Sequence, residues 1–165
     1  MSFFDNFRQS VTDLTQDLTS KVNQFKNNDF AEASMAICAL VAAADGNIDS
    51  DERRKTASFI ANNDTLKVFD TTDLQARFNK YCDKLNNDFD FGKIETIQSI
   101  SKLKSKGDQA RTIIQVGIII GGADGSFDTD EKAVVAESCR AVGINPAEFD
   151  LVTSTVVAAP VNSLF

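Results

Sequence analysis

No proline precedes Pro146 in this chain of 165 residues, and only Pro160 follows it. Proline is the residue that most reliably breaks a helix, so nearly the whole chain is open to helix, and its apolar residues recur at helical spacing. Val11, Leu14, Leu18, Val22 and Phe25 form one stripe and predict a first helix over about 5–26. Asp29 is a candidate cap for a second, carrying Met35, Ile37, Cys38, Leu40 and Val41 and ending at Asp45-Gly46, where glycine can take the left-handed conformation that closes helices. A third begins after Asp49 and carries Ala57, Phe59 and Ile60 as far as Asn62-Asn63. A fourth starts at Asp70 or Thr71 and runs through Leu74, Phe78, Cys82 and Leu85. The fifth follows "NNDFDFGK", with Phe89 and Phe91 expected to anchor that loop in the core and Ile94, Ile97, Ile100 and Leu103 on the helix. The run 110–123 is almost entirely apolar and is expected to be the central helix. A seventh spans about 129–141, and Asn145-Pro146 opens a short last one. No segment alternates as a strand does. The expectation is all-α: a single-domain bundle of about seven or eight helices.

Two segments repeat. "ADGNIDSDER" begins at Ala44 and "ADGSFDTDEK" at Ala123, each preceded by an apolar helix ("AICALVA", "QVGIIIG") and followed by an amphipathic one. This predicts an internally duplicated helix–acidic loop–helix unit. Each loop matches the second half of the EF-hand pattern: acid, glycine, an apolar residue two later, acid, and a closing glutamate. The first-half ligand positions hold Val41 and Ala43 in one copy and Ile120 and Gly122 in the other, so neither is a full EF-hand. Helix capping accounts for part of the acidity. Asp49-x-x-Glu52 and Asp128-x-x-Glu131 fit the capping box, and Asp51 and Asp130 fall in first turns, where the helix dipole favours negative charge. Capping leaves Asp45 and Asp124 unexplained, because they stand at the C-terminal ends of the preceding helices. Two carboxylates ~6 Å apart at an effective dielectric of ~20 repel by about 3 kcal/mol before salt screening. A hard divalent cation would relieve that repulsion. The candidate metal ligands are therefore Asp45, Asp49, Asp51 and Glu52, with Asp124, Asp128, Asp130 and Glu131. Asp90 and Glu95 form a second tier, should the fold bring them near. Calcium is favoured over magnesium or manganese because carboxylate loops suit its irregular coordination.

Other chemistries find little footing. A formal charge of −7 repels phosphate backbones, so nucleic-acid binding is not expected. Lys102, Lys104, Lys106 and Arg111, the one basic cluster, read as a solvated helix end. The chain has no histidine, which removes the commonest zinc ligand and every histidine-based triad. "GGADG" lacks the Lys-Ser/Thr of a phosphate-binding loop. Cys38, Cys82 and Cys139 are odd in number and widely spaced, as reduced buried thiols would be. Asp5 and Arg8 interrupt any apolar leader, and no run reaches the length of a membrane span, so neither a signal peptide nor direct membrane insertion is expected. Phe3, Phe4, Phe7 and Val11 are read as core-packing residues. Thirteen phenylalanines without tryptophan predict a core filled largely by phenyl rings. The resulting expectation is a cytoplasmic, non-enzymatic protein.

The opening "MSFFDNF", "KVNQFKNNDF", "LKVFDTTDL", "FDFGKIET", the two acidic loops and "GINPAEFDL" occur in an order that resembles the tellurite-resistance TerB family over about residues 1–151. The resemblance implies an all-helical accessory protein with acidic metal sites at the eight loop positions. It also implies partners among other Ter proteins in membrane-associated complexes, and hence a location peripheral to the inner membrane. Residues 152–165, "VTSTVVAAPVNSLF", carry no charge and fall outside the resemblance. They are read as a docked segment, a partner-binding tail or an appended sequence. The expected function is divalent-cation binding through the acidic loops within a Ter complex. The alternative is a metal-independent interaction module that uses its acidic surface.

Overall fold

A computed structural model describes residues 18–123, 125 and 127–151. Among these there are helices and no strands: α1 over 18–24, α2 Asn28–Ala42, α3 Ser50–Asn62, α4 Thr71–Asn87, α5 Phe89–Ser101, α6 Gly107–Gly121 and α7 Thr129–Ala141. Short 3-10 turns lie at Asp64–Leu66 and Pro146–Phe149, so the expected last helix is a single tight turn. The all-α, single-domain expectation holds. Most of the expected first helix, the segment 152–165 and Asp124 lie outside the described residues.

Helix starts follow side-chain chemistry. Asn27, rather than Asp29, caps α2 by accepting from the Phe30 amide. Asp49, Asp70, Asp88 and Asp128 cap α3, α4, α5 and α7 in the same manner, and each such cap contributes about 1 kcal/mol. α6 has no side-chain cap.

Contacts along the helices fix their directions. The Asn27 amide nitrogen donates to Gln109 Oε1 (3.1 Å), so α2 and α6 start level. Further along, a methyl group at Gly117 would lie 2.9 Å from Ile37 Cδ1, and one at Gly121 2.8 Å from Val41 Cγ1. The two helices therefore run parallel and end level. α4 runs with them, since Glu32 on α2 meets Arg77 and Lys80 while Ile48, beyond the end of α2, meets Asn86. α3 and α5 run back. Arg53 pairs with Asp83, and Lys84 pairs with Glu95 while Tyr81 meets Ser99. Between α5 and α7 the Lys93–Glu137 pair closes at 3.2 Å.

The central helix is α2, not α6 as the apolar run of α6 predicts. α2 touches α3, α4, α5, α6 and α7, and every residue from Phe30 to Val41 except Glu32 is buried. Its alanines, Ser34 and Cys38 are small, which lets helices close in from all sides. The core is also more aliphatic than the phenylalanine count suggests. Among the described residues only Phe30, Phe78 and Phe127 are buried, with leucine, isoleucine, valine and alanine supplying most of the rest. Phe91 overturns its expectation: it is 61% exposed on the outer face of α5, where Ile94 is also 54% exposed. The reason is rotational. Gly92 is pressed against α4 and Thr96, one turn on, is buried, and this places Phe91 and Ile94 on the outer side.

One charge inside the α2 sequence proves structural. Glu32 Oε1 accepts from Arg77 Nη1 (2.8 Å), and Oε2 accepts from Lys80 Nζ (2.7 Å) and from the Tyr81 hydroxyl, which is itself bonded to Ser99 (2.6 Å). Burial alone would raise the Glu32 pKa. The hydrogen bonds from Lys80 and Tyr81 and the charges of Lys80 and Arg77 outweigh it and hold the carboxyl below its usual value. Burial and the bond to Glu32 push the Tyr81 hydroxyl up to about 12, so it stays protonated as a donor.

Candidate functional site

Because α2, α4 and α6 run one way and α3, α5 and α7 return, three helix starts meet three helix ends at one end of the bundle. The first acidic turn connects α2 to α3 and the second connects α6 to α7, so the level ends of α2 and α6 set the two turns side by side. Their backbones match. The Gly46 amide donates to the Ala43 carbonyl and the Gly125 amide to the Gly122 carbonyl, both at 2.9 Å. Both glycines have positive φ, +110° and +92°, a region open to glycine and costly for other residues. An apolar side chain then anchors each turn: Ile48 in the first, and in the second Phe127, whose ring lies against the Gly121 backbone.

Both capping boxes form. Asp49 Oδ1 accepts from the Glu52 amide (2.8 Å) while Glu52 Oε1 accepts from the Asp49 amide (3.2 Å). Asp128 and Glu131 repeat the exchange at 2.8 Å in both directions. Asp51 pairs with Arg54, Asp130 is exposed, and Asp45 Oδ1 receives the Asn47 amide at 3.4 Å. Val41, Ala43 and Ile120, at the positions where an EF-hand would carry its first ligands, are buried in the core. Asp124 lies outside the described residues. Among those described, no three acidic or sulfur side chains converge tightly enough to hold an ion as they stand.

Asn86 was invisible to pattern reading yet organises the first turn. Its side chain accepts from the Ile48 amide and donates to the Ile48 carbonyl, both at 2.9 Å, imitating a strand partner. It also brings the start of α5 beside the first turn, and with it Asp88, which caps α5, and Asp90 in its first turn. Glu95, the other second-tier candidate, faces α4 and pairs with Lys84 at 3.3 Å. The sequence signal for Asn86 was only an asparagine pair at a helix end. For Glu32 it was an isolated acid in an apolar run.

The three cysteines are free and buried. Burial raises all three thiols, Cys82 and Cys139 to about 12. A thiol so held is a poor nucleophile. The native protein is expected to leave a chromogenic disulfide reagent unreacted over minutes at pH 8 and to titrate three thiols after denaturation. Prompt native reaction would show that a cysteine is accessible.

The fold and site define a helical domain with paired acidic turns at one end and no helix, among those described, long and apolar enough to cross a membrane. The family described as "Tellurite resistance protein TerB" matches residues 31–154. A "Tellurium resistance protein TerB" from Alcaligenes sp. is 36% identical over 118 residues, covering 72% of this chain and 97% of the relative. No solved structure matches. The chain belongs to the TerB family, and that membership associates it with tellurite resistance.

Proposed function

We propose that the protein serves tellurite resistance as a non-catalytic accessory module whose acidic end binds divalent cations, calcium in preference to magnesium or manganese. Asp45, Asp49, Asp51 and Glu52 would hold the cation in the first turn, and Asp124, Asp128, Asp130 and Glu131 in the second, with Asp90 nearby. The observation that carries this reading is the level ending of α2 and α6, which gathers two acidic turns, each with a positive-φ glycine and an aspartate N-cap, at one end. The donor set is all oxygen, as a hard cation requires. The bound cation would neutralise the carboxylates and present the end to another protein of the resistance apparatus, in the cytoplasm or at the inner membrane surface.

One observation favours a metal-independent reading, in which the acidic end docks a basic partner directly. Asp49, Glu52, Asp128 and Glu131 are already engaged in their reciprocal caps, and a cation would have to share or displace those bonds. Calorimetric titration of chelator-stripped protein with Ca²⁺, Mg²⁺ and Mn²⁺ separates the two. Saturable binding is expected, with a melting temperature raised by roughly 5–10 °C at a hundredfold excess over Kd. Both effects should vanish in an Asp49→Asn, Asp51→Asn, Asp128→Asn, Asp130→Asn variant, because asparagine still caps a helix but carries no charge. Silence from every cation with melting unmoved would leave the docking surface.

A further inference from the structure

The two acidic turns lead into helices of equal length and unequal attachment. α7 buries Val134, Val135, Ala136, Ser138 and Cys139. α3, also thirteen residues, buries Ile60 alone, with Ala57 and Phe59 half-covered. The apolar hold on α3 is thus confined to its last two turns. Its first half is tied by polar contacts: Arg53 Nε donates to Asn79 Oδ1 (3.0 Å), and Nη2 donates to the Asn79 carbonyl (3.1 Å) and pairs with Asp83 (2.8 Å). Asp83 is 71% exposed, so water competes for that bond. Between α3 and α4 an open groove of about 380 Å³, lined by Ser50, Arg53, Arg54, Ala57, Gln75 and Asn79, stands where a packed interface would have interdigitated side chains.

We propose that α3 is a latched arm: it leaves the bundle as a unit while the other helices stay packed, pivoting at Gly46 and Asn63, with Arg53 as the latch. The pivots suit the motion. Gly46 has φ +110° with open space around it, and Asn63 is extended backbone between α3 and the following 3-10 turn. Beyond Gly46 the chain is gripped again at Ile48 by Asn86, so opening also loosens the first acidic turn. α7, by contrast, is held along its length by Val134, Val135, Ala136, Ser138 and Cys139. The first turn is therefore the one that moves with its helix. This inference rests on the packing and polar contacts of α3 and stands whether or not a cation binds.

Hydrogen exchange read by mass spectrometry on the whole chain tests it. After correction for intrinsic rates, peptides from 50–62 are expected to exchange at least about tenfold faster than those from 129–141, because sub-global opening is easier than global unfolding. Arg53→Gln should speed the α3 peptides by about another tenfold and leave the α7 peptides unchanged. Asp83→Asn, which removes only the exposed partner, gives the same comparison in a milder form if the first variant folds poorly. Equal protection of α3 and α7 in the wild type would overturn the proposal. So would an acceleration that the substitutions spread equally over both helices, or one that they fail to produce in α3.

Discussion

Gly92→Ala is expected to lower the melting temperature by roughly 6–12 °C, the outcome of about 3 kcal/mol of overpacking in a chain of this size. The added methyl would sit 2.4 Å from the Lys84 carbonyl oxygen and 2.9 Å from the Leu85 nitrogen. Both are main-chain atoms of α4, so no side chain can rotate away, and relief requires the helices to part. Parting them would stretch the Lys84–Glu95 and Tyr81–Ser99 contacts that join the same pair. Glycine costs a helix interior about 1 kcal/mol relative to alanine, and this close approach is what offsets that cost. Gly107→Ala supplies the contrast. There the nearest neighbour is the end of the Arg111 side chain at 3.4 Å, and stability should hold or rise slightly. Thermal melts of the two variants would settle the point. An unchanged Gly92→Ala melt would mean that α4 and α5 are not pressed together as described.

Glu32→Gln should cost about 2 kcal/mol, or roughly 4–8 °C in melting temperature near neutral pH, because it withdraws a charge that Arg77, Lys80 and Tyr81 all address. The figure is held below that of a fully buried ion pair because Lys80 is about half exposed. The pH dependence carries a definite sign. The folded-state pKa of Glu32 lies below its usual 4.5, so its contribution is complete above that value and is lost as pH falls through the folded-state pKa. Denaturant titrations from pH 7 down to pH 3 should show wild type and variant separated at neutrality and converging in acid. A gap that persists unchanged below the folded-state pKa would mean that the variant acts through packing rather than charge.

Helix identity was legible because it depends on short-range periodicity and on caps that act within four residues. Asp49, Asp70 and Asp128 announce their helices directly, and both capping boxes formed as their spacing required. Which face of a helix is buried was less legible. In α5 Phe91 was expected to anchor in the core, but the close approach at Gly92 turned it out, together with Ile94. Centrality was misjudged for a related reason. The unbroken apolar run pointed to α6, while α2, equally apolar but interrupted by Glu32, has the small side chains that let neighbours crowd around it.

The sequence by itself determined an all-helical chain, reduced interior thiols, two acidic turns closed by left-handed glycines, and the caps that start the helices after them. All of these follow from local chemistry: spacing, φ preference and side-chain reach. Only the tertiary structure decided that the turns share one end of the bundle, that Glu95 faces Lys84, that Asn86 holds Ile48, and that α3 is more weakly seated than α7. Those facts depend on which helices run parallel and how closely they approach. Contacts between residues separated by 11 to 82 positions set that arrangement, and no single helix encodes it.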